Sequence, residues 1–195
     1  MASSPYAGIA VDRWLDKTKE LIARHPIGAP KLVEITLRSW DDIFISQLGR
    51  HNLRIGRDIF PQPQIMGFFL HELIPLNISL EIPGWRRDLG GTEKDVVCEK
   101  DPFFSFEIKT SSNPKDIFGN RSYAQQGLSE KRGKDGYMLA VNFQGFKDRQ
   151  APKIVRIRFG WLDHTDWVGQ TAATGQQARL TREANAYKLL DIWGS

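Results

Sequence analysis

An acidic and a basic side chain, Glu107 and Lys109, stand two residues apart in an otherwise apolar run, FFSFEIKTS at 103–111. Successive side chains of a β-strand point to opposite faces, so this run predicts a strand with one apolar face. The apolar face would hold Phe104, Phe106 and Ile108, and the other face Ser105, Glu107 and Lys109. That second face is either exposed to solvent, with an ordinary surface ion pair, or it lines a site.

Asp95 is placed to join this pair. It stands at the head of the preceding strand-like run, KDVVC at 94–98, and precedes Glu107 by 12 residues (107 − 95 = 12). The intervening EKDP at 99–102 predicts a tight turn, and therefore a hairpin that brings Asp95 close to Glu107 and Lys109. Two carboxylates and a lysine would then meet at one point of a twisted sheet.

Metal-assisted hydrolysis of a phosphodiester needs such a group. Mg²⁺ prefers oxygen ligands and usually takes one or two protein carboxylates while keeping waters and phosphate oxygens. Asp95 and Glu107 are the candidate ligands, the backbone carbonyl of Ile108 is a further one, and Lys109 could position the attacking water. The alternative is a solvent-facing ion pair on an edge strand, which would contribute only about 0–1 kcal/mol. Glu107 and Lys109 form the one D-x-K or E-x-K triplet of the chain.

The remaining pattern indicates a mixed α/β (α+β) fold in a single domain, residues 1–195. Apolar periodicity predicts N-terminal helices within about 10–75, a core at about 63–162, and a C-terminal helix. The predicted helices cover 10–24, 30–48, 63–73 and 176–192, with a short one between 120 and 132; the predicted strands cover 77–82, 94–98, 103–111, 136–143 and 153–162.

Composition narrows the class of protein. The chain has 195 residues, of which 41% are hydrophobic and 26% charged, as in ordinary globular domains. A net charge of +4 is compatible with a polyanionic partner. The single cysteine, Cys98, excludes an internal disulfide framework and a multi-cysteine zinc site. No long apolar run or secretory signal is present, so we expect a cytoplasmic protein.

The run from Asp95 to Glu107-Ile-Lys109 resembles the PD-(D/E)xK nuclease signature, with Lys94 where that signature has proline. Residues 59–76, IFPQPQIMGFFLHELIPL, and 109–125, KTSSNPKDIFGNRSYAQ, look like the type II restriction endonucleases of the ScaI type. The resemblance covers the chain from about Trp14 to the C-terminal helix.

This resemblance implies a restriction-endonuclease-like core, a central mixed β-sheet flanked by helices. It implies Mg²⁺-dependent cleavage of double-stranded DNA by a homodimer at a short palindrome. It also implies a cognate DNA methyltransferase that protects the DNA of the prokaryotic host. A glutamate of the first core helix often joins the metal site in this superfamily, which makes Glu72 a candidate ligand; the alternative is a helix carboxylate paired elsewhere. The histidines, among them His71, share no ligand spacing and are interpreted as structural or solvated.

Two segments are candidates for DNA contact. The first follows the catalytic strand, at 119–127, because arginine can bind guanine and asparagine or glutamine can bind adenine; the alternative is a polar loop. The second, 174–182, is as easily a solvated helix face. The predicted DNA-binding residues are Asn120, Arg121, Ser122, Tyr123, Gln125 and Gln126, with Arg86 and Arg87 of the preceding loop and Lys131 and Arg132 of a basic patch.

Three functions remain open at this point. The first is a type II restriction endonuclease. The second is a structure-specific DNA repair or junction-resolving nuclease of the same fold, which would ignore sequence. The third is a non-catalytic DNA-binding module, whose binding would be indifferent to Mg²⁺.

Overall fold

The computed structural model describes residues 4–125, 135–147, 150–172 and 175–194. Its helices are α1 (Trp14–Arg24), α2 (Ala29–Ile45), α3 (Pro63–Glu81) and α4 (Arg182–Tyr187). Its strands are β1 (Trp85–Arg87), β2 (Val96–Cys98), β3 (Phe106–Ser111), β4 (Phe118–Asn120), β5 (Gly136–Phe143), β6 (Ile154–Leu162), β7 (Trp167–Gly169), β8 (Gln177–Leu180) and β9 (Leu189–Trp193).

The strands form two sheets, which we call the main sheet and the small sheet. The main sheet has the order β1-β2-β3-β5-β6-β9, and the small sheet the order β4-β8-β7. Within the main sheet β3 and β5 are parallel, and the other neighbours are antiparallel. The predicted fold class, a central mixed β-sheet flanked by helices, is confirmed.

One apolar core lies on each face of the main sheet. Helices α1, α2 and α3 pack on one face of the main sheet through a core that includes Phe106, Ile108 and Tyr137. The small sheet covers the other face through a second core that includes Met138 and Trp167. Strand β3 therefore lies between two packed layers, and neither of its faces is an open surface. Within the part of the chain that the structure describes, no helix is both long and apolar enough to cross a membrane.

The predicted strand at 77–82 is wrong, because α3 continues through this segment to Glu81. Pro75 lies inside the helix and lacks the N–H that would bind the carbonyl four residues earlier, which is a local cost. Burial of Ile74 and Ile78 offsets this cost, since both side chains pack in the core. The alternation that suggested a strand does not match burial: Ile78 is buried and Leu80 is 81% exposed.

The predicted C-terminal helix at 176–192 is also wrong. The segment forms strand β8, the short helix α4 and strand β9. Thr181 ends the strand and begins the helix, because its side chain accepts a hydrogen bond from the backbone N–H of Ala184. Strand β8 pairs with β4 and β7, and β9 pairs with β6, so long-range strand pairing outweighs the helical periodicity.

The remaining differences concern segments between the longer elements. The loop predicted to carry Arg86 and Arg87 contains strand β1. A short helix was expected between 120 and 132, and the described part of this segment forms a 3-10 helix at Arg121–Ala124. A 3-10 helix at Pro102–Phe104 precedes β3, so the strand begins at Phe106. The strands predicted at 136–143 and 153–162 are confirmed as β5 and β6.

His25 makes the stability of this fold sensitive to acid. Its ring is buried among aromatic side chains, with Nδ1 3.0 Å from the Ile27 carbonyl oxygen and Nε2 2.9 Å from that of Phe104. Burial lowers the pKa of His25, although the two carbonyl groups oppose this effect. The unfolded chain, with an ordinary pKa of about 6.5, therefore binds a proton before the folded protein does.

We expect the free energy of unfolding to fall as the pH drops below about 6.5, by at most about 2 kcal/mol at pH 5 for this residue. Urea unfolding of the wild type and of His25→Gln at a series of pH values checks this. The wild type should lose its advantage over the variant with acid. The exposed His51, changed to glutamine, is the matched control and should track the wild type. A difference between wild type and His25→Gln that stays constant with pH would contradict the prediction.

Candidate active site

Asp95 is fixed beside the edge of β3 by a backbone contact. The pairing of β2 with β3 joins Val96 to Phe106 and does not continue past Val96. Ile108 lies two residues beyond Phe106, so its N–H and C=O also point toward the β2 side. The N–H of Ile108 donates to Oδ2 of Asp95 at 2.6 Å, so the carboxylate takes the place of a neighbouring strand.

Glu107 lies next to Asp95, as the hairpin predicted. The residue is 5% exposed, and its side chain lies on the face of β3 that the small sheet covers, where it contacts Tyr123. The two carboxyl groups share a hydrogen bond, and the pKa of Asp95 rises to about 6 because of burial and the charge of Glu107. The Ile108 N–H and the charge of Lys109 oppose that rise. The site therefore concentrates negative charge in a partly dehydrated position, which favours binding of a cation.

Lys109 completes the group from the next position of β3. Its Nζ donates to the carbonyl oxygen of Ile108 at 3.3 Å and lies over the ring of Tyr123, 4.7 Å from the centroid. The hydroxyl of Tyr123 hydrogen-bonds to the carboxylate of Glu107. Burial and the two neighbouring carboxylates raise the pKa of Tyr123, so this hydroxyl keeps its proton and acts as a donor.

The solvent-facing ion pair is not what the structure contains. Strand β3 lies between β2 and β5, so it is an interior strand and not an edge strand. Glu107 is buried, and a second lysine, Lys94, has its Nζ 3.6 Å from Oε1 of Glu107. Lys94 stands where the nuclease signature has proline, and the sequence pattern gave it no role in the site.

The donor atoms fit a hard cation such as Mg²⁺. Asp95, Glu107 and the Ile108 carbonyl offer oxygen atoms around the backbone of Ile108 in β3. Among the described residues, no group of three or more His, Cys, Asp or Glu side chains could hold a metal ion. A cation here would take two carboxylates and a carbonyl and complete its shell with water or phosphate, which is the usual arrangement for Mg²⁺.

Glu72 does not form a metal-binding group of three carboxylates with Asp95 and Glu107. Its Oε2 is 3.3 Å from Nη1 of Arg87, so it is a helix carboxylate paired elsewhere, the alternative considered for it above. The preceding residue of α3, His71, takes the position beside the site, with Nδ1 3.7 Å from Oδ2 of Asp95. Burial and the charge of Lys109 lower the pKa of His71 to about 4. The pattern missed His71 because adjacent helix residues point about 100° apart, and only the packing of α3 fixes which one faces β3.

The structure separates the DNA-binding residues predicted within 120–132 into three groups. Asn120, Ser122 and Gln125 are exposed at or after the end of β4, and Arg121 is half-buried. Tyr123 is 2% exposed, so it faces Lys109 and Glu107 and not a surface that DNA could reach. The predicted contacts at Gln126, Lys131 and Arg132 lie outside the described residues.

The two predicted arginines of the β1 region are held by carboxylates of the chain itself. Nη1 of Arg86 lies 2.8 Å from Oε2 of Glu93, and Arg87 is the partner of Glu72. A phosphate would compete with these ion pairs for both guanidinium groups. Arg86 and Arg87 are therefore weaker candidates for DNA contact than the exposed residues near β4.

A cleft opens beside this group. It has a volume of about 500 Å³ and lies between α3, the end of β3 and the small sheet. His71 lines the cleft and has Nδ1 3.7 Å from Oδ2 of Asp95, so one wall of the cleft adjoins the carboxylates. Residues that line it also include Gln64, Gly67, Phe68, Thr110, Phe118 and Gln177.

Comparisons with known proteins identify the family of this chain. The model of the ScaI restriction endonuclease family matches residues 4–193. The type II restriction enzyme ScaI of Streptomyces caespitosus is 45% identical over 194 residues, which cover 98% of this chain and 85% of that enzyme. A match of this extent includes both sheets and all residues of the site. The chain therefore belongs to the ScaI restriction endonuclease family.

Proposed function

We propose that this protein is a Mg²⁺-dependent type II restriction endonuclease that hydrolyses phosphodiester bonds of duplex DNA at a specific sequence. One observation carries the proposal: Asp95, Glu107 and Lys109 converge at the backbone of Ile108, and His71 connects this group to a surface cleft. Membership of a restriction endonuclease family supports site-specific cleavage of DNA.

In this proposal Asp95, Glu107 and the Ile108 carbonyl hold Mg²⁺, and Lys109 acts on the reacting groups. When bound, Mg²⁺ activates the attacking water and offsets the negative charge that develops on the phosphate. Lys109 is the chain's own cation at this point, and it donates a hydrogen bond to the water or to the phosphate oxygen in the transition state. The carbonyl oxygen of Ile108 and the ring of Tyr123 hold the lysine in place.

A two-fold symmetric enzyme is part of the proposal. A homodimer presents one catalytic group to each strand of a palindromic site, because the symmetry of the protein then matches that of the DNA. Sedimentation of the protein with and without a short cognate duplex tests this. A DNA methyltransferase of the same specificity would be its functional partner, and plasmid modified by that enzyme should resist cleavage.

The direct test is digestion of plasmid and phage DNA with purified protein, with and without Mg²⁺, followed by sequencing of the fragment ends. We expect discrete fragments with one common end sequence, formed only with a divalent cation. Glu107→Gln should abolish them, because a neutral amide replaces a candidate ligand. A four-way junction cut in preference to plasmid would indicate a structure-specific nuclease, and DNA binding without cleavage under all conditions would indicate a binding module.

Removing the hydroxyl of Tyr123 is expected to lower the cleavage rate by less than Glu107→Gln does. Tyr123→Phe keeps the ring under Lys109 but removes the hydrogen bond to Glu107, which is worth about 1 kcal/mol. We expect the single-turnover cleavage rate to fall about five- to tenfold, with little change in melting temperature. Tyr187→Phe, at an exposed tyrosine, is the control and should cut at the wild-type rate. An unchanged rate in Tyr123→Phe would show that this hydroxyl does not help to position the site.

A further inference from the structure

The two faces of the small sheet differ in character. The inner face packs on the main sheet through Gly119, Trp167 and Ala178. A Cβ atom at Gly119 would lie 3.1 Å from side-chain atoms of both Trp167 and Tyr123, so this layer is tightly closed. The outer face is exposed and carries Phe118, Asn120, Val168, Gln177 and Arg179. We call these five residues the outer face.

Strand register arranges the outer face in two rows. Arg179 of β8 lies between Phe118 of β4 and Val168 of β7, and Gln177 lies opposite Asn120. Phe118 is 42% exposed and Val168 46% exposed. A sheet face that only meets water usually carries polar residues at such positions. Two concave regions, of about 570 and 640 Å³, adjoin this row and share Phe118, Val168 and Arg179 as lining residues.

The outer face is continuous with the cleft of the candidate active site. Phe118 and Gln177 line both the cleft and the outer face, and the opposite wall of the cleft holds His71 beside Asp95. A long ligand that rests on the outer face can therefore extend along the cleft as far as His71, which adjoins Asp95. This continuity favours a ligand of the size of duplex DNA over a small molecule.

We propose that the outer face is the base-reading surface and that it enters the major groove of duplex DNA. The residue types match the groups displayed there: arginine pairs with guanine O6 and N7, asparagine and glutamine with adenine N6 and N7, and apolar side chains contact the thymine methyl group. A two-stranded β-ribbon fits the major groove, and β8 with one neighbouring strand of the small sheet has that width. This inference rests on the proposed function, and it assigns base reading chiefly to β8, whereas the sequence favoured residues 119–127.

The test is a comparison of binding affinities, made with Ca²⁺ in place of Mg²⁺ so that a duplex stays intact. The cognate sequence comes from the fragment ends of the wild-type digest. We expect Arg179→Ala to lower the preference for cognate over scrambled duplex by about tenfold or more, with a small change in affinity for scrambled DNA. Arg179→Lys keeps the charge but not the planar pair of donors, so it should lose the preference as well.

Base substitution then locates the contact. The wild type should lose affinity when one particular G·C pair of the site is exchanged, and Arg179→Ala should be indifferent to that exchange. Gln177→Ala should show the same insensitivity at an A·T pair. Arg24→Ala, which removes an exposed arginine on the helix-covered side of the main sheet, is the matched control and should keep the full preference.

Three results would overturn the inference. If the wild type cuts a defined sequence but both β8 variants keep its preference, base reading lies elsewhere and the proposed function stands. If Arg179→Ala weakens cognate and scrambled binding equally, Arg179 contacts phosphate and not bases. If the wild type neither cuts nor prefers any duplex sequence, the proposed function fails and this inference fails with it.

Discussion

Replacing Lys109 by methionine is expected to lower the rate of DNA cleavage by about 10²–10³-fold. Methionine has a similar length and apolar stem, so it should occupy the space over the Tyr123 ring. It removes the ammonium group that lies beside the Ile108 carbonyl and next to the two carboxylates. Without that charge, the transition state loses a donor aimed at the reacting groups. Single-turnover cleavage of a cognate duplex, with enzyme in excess and saturating Mg²⁺, measures the loss.

The control for this variant must separate chemistry from folding and from general charge. Lys19→Met removes an exposed lysine of α1, on the side of the main sheet away from Glu107, and should cut at the wild-type rate. The melting temperature and the Ca²⁺-supported binding of Lys109→Met should stay close to those of the wild type. A Lys109→Met protein that is folded, binds DNA and cuts within about tenfold of the wild type would remove Lys109 from the mechanism.

The approach of Asp95 to Glu107 and Lys109 was accessible to sequence reasoning because it depends on local geometry. Strand alternation assigns Glu107 and Lys109 to one face, and the antiparallel pairing of two consecutive strands fixes where Asp95 meets them. These interactions span 14 residues at most (109 − 95 = 14). The chemistry of cation binding restricts the candidate residues further, because Mg²⁺ needs several oxygen donors that lie close together.

The residues that surround the site could not be predicted from local sequence patterns. The small sheet joins β4 to β8, whose paired residues are far apart in the chain, as in Phe118 and Arg179. No local pattern encodes that pairing, so Tyr123 was assigned to a DNA surface when it is buried against Lys109. Likewise, only tertiary packing of α3 decides that His71, and not Glu72, faces Asp95. Local propensity is overridden where burial and long-range pairing contribute more free energy.

In the C-terminal segment long-range strand pairing again outweighs the local helical pattern. This segment also contains a buried lysine that binds two carboxylates. Lys188 follows α4 and is 2% exposed. Its Nζ lies 3.0 Å from Oδ2 of Asp163 and 2.9 Å from both carboxylate oxygens of Asp166. It also lies over the rings of Tyr6 and Trp14, 4.2 Å from each centroid. One cation thus connects the N-terminal segment, the loop after β6 and the C-terminal strand.

We expect Lys188→Met to lower the free energy of unfolding by about 3–5 kcal/mol, because two carboxylates would remain buried without their cation. Urea unfolding at pH 7 measures this, and Lys17→Met, which removes the partner of Glu20 from a largely exposed pair, should cost less than about 1 kcal/mol. Burial already raises the pKa of Asp166 above that of an unfolded aspartate. Without Lys188 the pKa of Asp166 rises further, so acid protonates this carboxylate in the folded variant and removes its buried charge. The loss in free energy of unfolding should therefore shrink as the pH falls from 7 toward 5. A loss that is below 1 kcal/mol, or that grows with acid, would mean that the aromatic rings and not the carboxylates hold Lys188.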